Sequence, residues 1–285
     1  MQDSGRTGYR RFGVSGAGPL DARAHAEANR AVGNEPGAPA LEATLAGPSL
    51  RFLATVRFAV AGADLGAVLD RDDLGAWPVP RGAAVLARPG NVLRFARRRE
   101  GCRVAIAVAG GIDVPRVLGS ASTDLLGGFG GHAGRGLAAG DRLGAGVAPA
   151  RGPAETPPAP LAARATVRVV LGPQAERLEP ASLRTLLEST WRVGEASDRV
   201  GLRLEGGEPL RHVGRAEILS DGMVPGAVQV PPDGRPIVML ADGPTTGGYP
   251  KVATVVGDDL SRLGQLVPGE GEVRFEVVRL EDVQG

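Results

Sequence analysis

One lysine occurs in the 285 residues, Lys251, and it closes the segment TTGGYPK at residues 245–251. Every other basic side chain among the 33 Lys plus Arg is arginine. A chain rich in Ala, Gly, Arg and Pro and nearly free of Lys is what nucleotide bias in a coding sequence produces. A lysine that survives such drift marks a place where arginine does not fit. Lysine is a compact point charge on a thin stem, arginine a wide, permanently charged fork. Around Lys251, the hydroxyls of Thr245 and Thr246 and the N–H groups of Gly247 and Gly248 would form, with the ammonium, a pocket for a carboxylate or phosphoryl oxygen. Asp242 ends the apolar run PIVMLAD just ahead of that segment, and Ser197-Asp198-Arg199 precedes Val200-Gly201. Asp198 and Asp242 could hold an amide N–H or act as a base. Ser220-Asp221-Gly222 opens a turn that leads to Gln229.

Other chemistries fit the residues poorly. A phosphate loop needs Gly-Lys-Ser/Thr, and here Tyr249-Pro250 stands between the glycines and the lysine. The run GGFGG at 127–131 follows Ser122-Thr123-Asp124-Leu125 instead of a buried strand, so it reads as a loop and not as a dinucleotide fingerprint. His25, His132 and His212 have no ligand spacing and there is no cysteine pair, so no metal site is expected. Cys102 lies in the apolar run CRVAIAVAG and reads as a small core residue.

The 33 basic and 32 acidic residues nearly cancel, which gives no field to draw in nucleic acid or a membrane surface. The opening MQDSGRTGYRRFG lacks the apolar stretch of a signal peptide, and no run is long enough to cross a bilayer. A cytoplasmic location is expected.

The elements that must position these groups are mostly short strands. SLRFL, VRFAVAG, AVLAR, NVLRFA, CRVAIAVAG, TVRVVLG, AEILS, GAVQV, PIVML, KVATVVG and EVRFEVV are rich in Val, Leu or Phe and set off by Gly, Pro and Asp turns. A helix is predicted after Asp21 as N-cap, with Ala24, Ala28, Ala31 and Val32 on one face and Gly33-Asn34 as its stop. A second is expected at 180–188 and a third over 258–266. The class is therefore mainly β with a few helices (α+β), built as barrels or sandwiches. The Pro/Ala-rich stretch 150–165 reads as an extended linker between an N-terminal β-rich part, 1–149, and a C-terminal one, 166–285, that carries TTGGYPK.

These residues also carry a resemblance. QDSGRTGYRRFGVSGAGPLD, ANRAVGN, ALEATLAGPSLRF, VAGADLGAVLD and AVAGGIDVPRVLGSASTDLLGGFGGHAGRGLAAGD resemble the first half of the biotin-dependent carboxyltransferase family, also called allophanate hydrolase subunit 2 or KipA-like. LGPQ, SDRVGLRL and EILSDGMVPGAVQVPPDGRPIVMLADGPTTGGYPKVATV resemble its second half. The resemblance implies two cyclophilin-like β-barrel subdomains. It places the family's polar motifs on Asp198, Arg199, Gln229, Asp242 and Thr245 through Lys251, with Asp113 of GGID in a comparable turn. Val200, Leu202 and Asp221 depart from the residues common at those positions. Relatives carry further residues ahead of the opening motif, which implies either a shortened start or a missing edge strand.

The function most strongly implied is that of the C-type component of an ATP-dependent 5-oxoprolinase, an amide hydrolase turning 5-oxo-L-proline into L-glutamate. Its partners would be a B-type subunit (KipI-like, allophanate hydrolase subunit 1) and an A-type, LamB/YcsF-like subunit. The amide is unstrained, and phosphorylation of its oxygen by ATP creates a leaving group that water displaces. Two alternatives belong to the same resemblance. One is biotin-dependent carboxyl transfer to urea or another small amide. Lys251 is not a biotin carrier there, since it lies between Pro250 and Val252 and not in a Met-Lys-Met hairpin. The other is a KipA-like regulator that binds a KipI-like kinase inhibitor.

Overall fold

In VRFAVAG and CRVAIAV large and small apolar residues alternate, and that alternation decides which side of a sheet meets which neighbour. The structure, a computed structural model, describes residues 1–71, 74–150, 152, 154 and 157–283. The chain divides into two units, Met1–Thr7 with Ala17–Ala162, and Gly8–Gly16 with Ala163–Gly285.

The first unit contains helix α1 (Ala22–Ala31) and strands β1 (Leu41–Thr44), β2 (Leu50–Arg51), β3 (Val56–Asp64), β4 (Ala67–Arg71), β5 (Gly75–Pro78), β6 (Val85–Ala87), β7 (Val92–Phe95), β8 (Glu100–Val108), β9 (Ile112–Asp113) and β10 (Gly144–Ala145). Two four-stranded sheets, in the orders β1-β8-β3-β6 and β2-β7-β4-β5, enclose one apolar core. Phe58, Val60, Val104 and Ile106 face Leu69 and Leu93 across it. The intervening Ala59, Ala61, Ala105 and Ala107 face the other way and meet Ala24, Ala28 and Ala31 of α1. Small residues on both surfaces let the helix lie close to the sheet. Cys102 is fully buried, as a core residue should be. The helix starts as its sequence predicts, with the Asp21 carboxylate accepting from Ala24 N at 2.9 Å, and Gly33 follows its end with φ 87°.

The opening QDSGR of the same unit forms a polar lock. Asp3 accepts from Ser120 Oγ at 2.5 Å, Ser122 Oγ at 2.7 Å, and the N–H groups of Gly5 at 2.9 Å and Ala121 at 2.7 Å. Arg6 donates to the carbonyls of Val117 and Ser122 and lies over the Phe129 ring. Burial pushes the Asp3 carboxyl up, and these hydrogen bonds together bring it below the ordinary carboxylate value.

The second unit is built on strands β11 (Arg164–Leu171), β12 (Trp191–Val193), β13 (Gly201–Glu205), β14 (Asp221–Gly222), β15 (Ala227–Gln229), β16 (Ile237–Met239), β17 (Thr246–Gly247), β18 (Lys251–Val255) and β19 (Glu272–Val277). Seven of them close a barrel in the order β11-β18-β15-β16-β13-β12-β19, sealed by the parallel pair β11–β19. Along β11, Ala165, Val167 and Val169 point inward and alternate with exposed or half-buried neighbours. Helix α2 (Pro180–Glu188) spans the predicted residues, with proline in its first turn. The buried Trp191 indole donates to Leu186 O at 2.9 Å, which ties the helix end to β12. Helix α3 (Leu260–Gly264) follows a 3-10 turn at Gly257–Asp259. The Asp259 carboxylate binds both the backbone and the side chain of Arg168 on β11.

The mainly-β class with a few helices is the class observed. The sequence-based strand set omits β1, β4, β5, β12 and β13 and the two-residue strands β9, β10, β14 and β17. AEILS at 216–220 is irregular and not a strand; Leu219 is 94% exposed, while Ala216 and Ile218 are half-buried. Asp221 and Gly222 form a strand where a turn was expected. Of the predicted linker, residues 151, 153, 155 and 156 lie outside the described residues; its last two positions, 164 and 165, already belong to β11. Residues 8–16 group with the second unit although they precede the first helix.

Candidate functional site around Lys251

Lys251 opens β18, between β11 and β15 of the barrel. Opposite it the β15 register slips: Val228 faces Ala253, but Gln229 faces Lys251. A slip of this kind re-aims the side chains beside it. On the other flank Gln174 of LGPQ accepts from Lys251 N at 3.0 Å and returns its own N–H to Lys251 O at 3.3 Å. Gly172 makes that approach possible, since a Cβ there would stand 2.2 Å from Lys251 O. The backbone of Lys251 is therefore fixed from two directions.

Its side chain is nearly covered, with the whole residue 8% exposed. Nζ donates to Gly222 O at 2.7 Å and forms an ion pair with the Asp221 carboxylate. An ammonium has three donors. Two are used, on the Asp221 carboxylate and Gly222 O, which leaves one. The Lys251 hydrogen bond, with the Gly222 N–H behind it, holds the Asp221 carboxyl below its ordinary value. A guanidinium fork is wider than an ammonium, and a position this nearly covered leaves little room for it.

TTGGYPK presents its polar groups differently from the expected cradle. Thr246 and Gly247 form β17 and pair with Gly222 and Asp221 of β14, and Met223 N extends the ladder to Thr245 O at 2.9 Å. Neither Gly247 nor Gly248 has a positive φ, so the concave run of free N–H groups is not formed, and the ladder engages the Gly247 backbone. Gly247 is glycine for another reason: a Cβ would lie 2.5 Å from Gln229 Nε2 and 2.5 Å from Met223 Cε. Gln229, 4% exposed, donates to Tyr249 O at 3.1 Å and so fastens the end of the segment to β15. Tyr249 is 36% exposed beside it, and the Tyr249–Pro250 bond is trans.

The remaining candidates are placed elsewhere in the local structure. Arg199 grips Asp242 through two bonds, Nε to Oδ2 at 2.7 Å and Nη2 to Oδ1 at 3.0 Å, with the Asp242 side chain only 5% exposed. Asp198 is exposed, and its Oδ1 accepts from the N–H groups of Val200 and Gly201, closing the turn into β13. Asp113 belongs to the first unit, in the β9–β10 pair opposite Gly144. Sequence reasoning gave no site role to Asp221, Gly222 or Gln174. The signal for them was present in SDG and LGPQ, two short polar insertions beside apolar strands in the same half of the chain.

Among the described residues no cluster of His, Cys, Asp and Glu suits a metal ion. Neither glycine-rich segment fits nucleotide phosphates: Gly247 is engaged in a ladder, and the 127–131 loop closes on Asp124, which accepts from Gly127 N at 2.9 Å. What the Lys251 corner presents is a single nearly buried cation held by Gly222 O and the Asp221 carboxylate.

Comparison with known proteins agrees with the fold. The chain is 39% identical to the C-type component of 5-oxoprolinase from Escherichia coli K12 and 36% identical to that from Haemophilus influenzae, over 99% of its own length and 89% of theirs. It is 33% identical to urea amidolyase of Saccharomyces cerevisiae, over 93% of this chain but only 15% of that protein. Among solved structures, TTHA0988 superposes with TM-score 0.83 at 41% identity, covering 96% of this chain and about half, 53%, of that one. The K. lactis urea amidolyase gives TM-score 0.91 at 30% identity, over 99% of this chain and 18% of that one. The model of the carboxyltransferase domain, subdomain A and B, matches residues 12–277, and the chain belongs to that family.

Proposed function

We propose that this chain is the C-type component of an ATP-dependent 5-oxoprolinase and that the Lys251 corner holds the anionic group of the substrate. The observation that carries the reading is the amine of the sole lysine, 8% exposed and fixed by Gly222 O and Asp221, with one donor left over. A 5-oxoproline carboxylate accepts that donor and is oriented by it. The near-complete burial of the amine lowers the local dielectric and strengthens the contact over its value in water. ATP supplies activation of the amide oxygen within the complex, and no step on this chain is assigned to it. Gln229 and Gly247 keep the corner closed on its inner side, and Tyr249 forms an exposed wall beside it. The B- and A-type partners, KipI-like and LamB/YcsF-like, complete the enzyme in this reading. The two bacterial relatives named as 5-oxoprolinase components, at 36–39% identity, support it.

Carboxyl transfer from biotin to urea or another small amide is the second reading, favoured by one observation: the family model is that of a carboxyltransferase domain. The two are separated by co-expressing the chain with both partners and measuring glutamate formed from 5-oxoproline and ATP. Turnover supports the first. A well-formed complex that makes no glutamate, but carboxylates urea when given a biotinylated carrier, overturns it in favour of the second.

A further inference from the structure

The segment Gly8–Gly16 belongs to the second unit, and it delivers one arginine to the ladder beside Lys251. Arg10 Nη2 donates to Met223 O at 3.0 Å and to Pro244 O at 2.7 Å, and Nε also reaches Met223 O at 3.3 Å. These carbonyls lie 213 and 234 positions away in sequence. Met223 follows Asp221-Gly222 of β14, and Pro244 stands two residues before Thr246-Gly247 of β17. One guanidinium thus bridges the two strands where their ladder ends.

We propose that Arg10 is a positioning residue for the Lys251 corner, locking together the Met223 and Pro244 ends of the ladder that presents Asp221 and Gly222 to the amine. This rests on the reading of that corner as the substrate site. The ladder needs such a lock because it is short. β14 and β17 have two residues each, and a two-stranded ribbon of that length is marginal in water. Its partners in the corner are unevenly covered: the Asp221 side chain is 53% exposed, the Lys251 side chain 10%. Without an anchor the exposed strand would move and carry both acceptors of the amine with it.

Only arginine does this in one side chain. A planar fork can serve carbonyls on two strands at once, whereas an ammonium concentrates its donors at a point. The guanidinium also keeps its charge free. No carboxylate pairs with it among the described residues, and Nη1 is buried without a hydrogen-bond partner among them. Burial pushes it below its ordinary value, as expected for a cation bonded only to carbonyls. The charge therefore adds to the positive potential that an anionic ligand meets near Lys251.

The test uses the assembled complex in which only this chain carries 15N-lysine, so that Lys251 gives a single side-chain signal. Arg10→Met keeps the stem and removes every donor. Arg10→Lys keeps the charge and one donor head. Arg11→Met removes a neighbouring arginine that lies over the Phe12 ring, and serves as control. Arg10→Met is expected to shift the Lys251 signal and to speed amide exchange at residues 221–223 and 245–247 by roughly tenfold. Exchange in the barrel strands β11 and β19 should stay unchanged, Arg10→Lys should fall between, and Arg11→Met should match the parent. Should Arg10→Met fail to fold, Arg10→Lys is judged by the same two readouts. Either the Lys251 signal or the ladder exchange remaining at parent values overturns the proposal. A parent complex silent toward 5-oxoproline overturns the functional reading instead, while these two readouts still decide what Arg10 does.

Discussion

Lys251 and Asp221 lie 30 positions apart in sequence and form an ion pair of unequal halves, with the amine 10% exposed and the carboxylate 53% exposed. The lysine is anchored by its backbone to Gln174 and by its side chain to Gly222 O, whereas the aspartate stands on a two-residue strand at the surface. The amine is the fixed member of the pair. The carboxylate is the exposed member.

Replacing Lys251 by arginine keeps the charge and changes its shape. In the assembled enzyme, Lys251→Arg should lower glutamate formation by roughly a hundredfold, because the wider head cannot take the position of Nζ without moving the bound anion by about an ångström. Folding stability should fall by about 1–3 kcal/mol, the cost of fitting a larger head into a nearly buried position. Turnover assays and chemical denaturation, run on the same preparation, separate the two effects.

Arg199 and Asp242 should behave in the opposite way. The Asp242 carboxylate is 5% exposed, and Arg199→Ala removes its two-bond cationic partner. A loss on the order of 3 kcal/mol is expected in urea unfolding. Activity per folded complex should remain within about threefold of the parent, an effect of less than about 1 kcal/mol on the barrier. A large drop in turnover with unchanged stability would make Asp242 a participant in the chemistry.

Gly247 and Gly248 differ although they are neighbours. A Cβ at Gly247 meets Gln229 Nε2 and Met223 Cε at 2.5 Å, while one at Gly248 has nothing nearer than Ile218 O at 3.7 Å. Gly247→Ala should therefore break the Gln229–Tyr249 hydrogen bond or displace Met223, at a cost of about 1–2 kcal/mol. Gly248→Ala should be close to neutral. Melting curves of the two variants check the contrast.

The same contrast shows what a sequence displays and what it hides. Helix α2 and most barrel strands follow from period and punctuation, because alternation in β11 and a proline at the start of a helix act locally. That Lys251 is not a free surface residue was also legible, from its being the sole lysine. Its partner was not. Asp221-Gly222 reads as a turn because two residues carry no period, and only pairing with Thr246-Gly247 makes them a strand. The same holds for Arg10, whose acceptors are backbone carbonyls that leave no mark on sequence. AEILS misled for the converse reason: its apolar residues are real, but the segment pairs with no strand and leaves Leu219 exposed.

Two buried acids of the first unit should bend the pH dependence of stability in opposite directions. Asp3 has a folded value below its unfolded one. Its contribution is present above about pH 4 and is lost as pH falls through the folded value. Glu27 on α1 is raised, first by burial, although a hydrogen bond from the Ala159 backbone works against that. The unfolded state then releases this proton more readily than the folded state, so its contribution falls as pH rises above about 4. Asp3→Asn should flatten the acid limb of a stability–pH curve. Glu27→Gln should lift the curve toward neutral pH.

Substrate binding at this corner requires an anion to reach the amine of Lys251, and the single lysine makes that visible. With 15N-lysine in this chain and unlabelled partners, the side-chain signal of the assembled complex is followed while 5-oxoproline is added, with 2-pyrrolidinone, which lacks the carboxylate, as the comparison. A saturable shift with 5-oxoproline and none with 2-pyrrolidinone is the expected result. A signal that ignores 5-oxoproline in a complex that is hydrolysing it would contradict a carboxylate-binding role for Lys251.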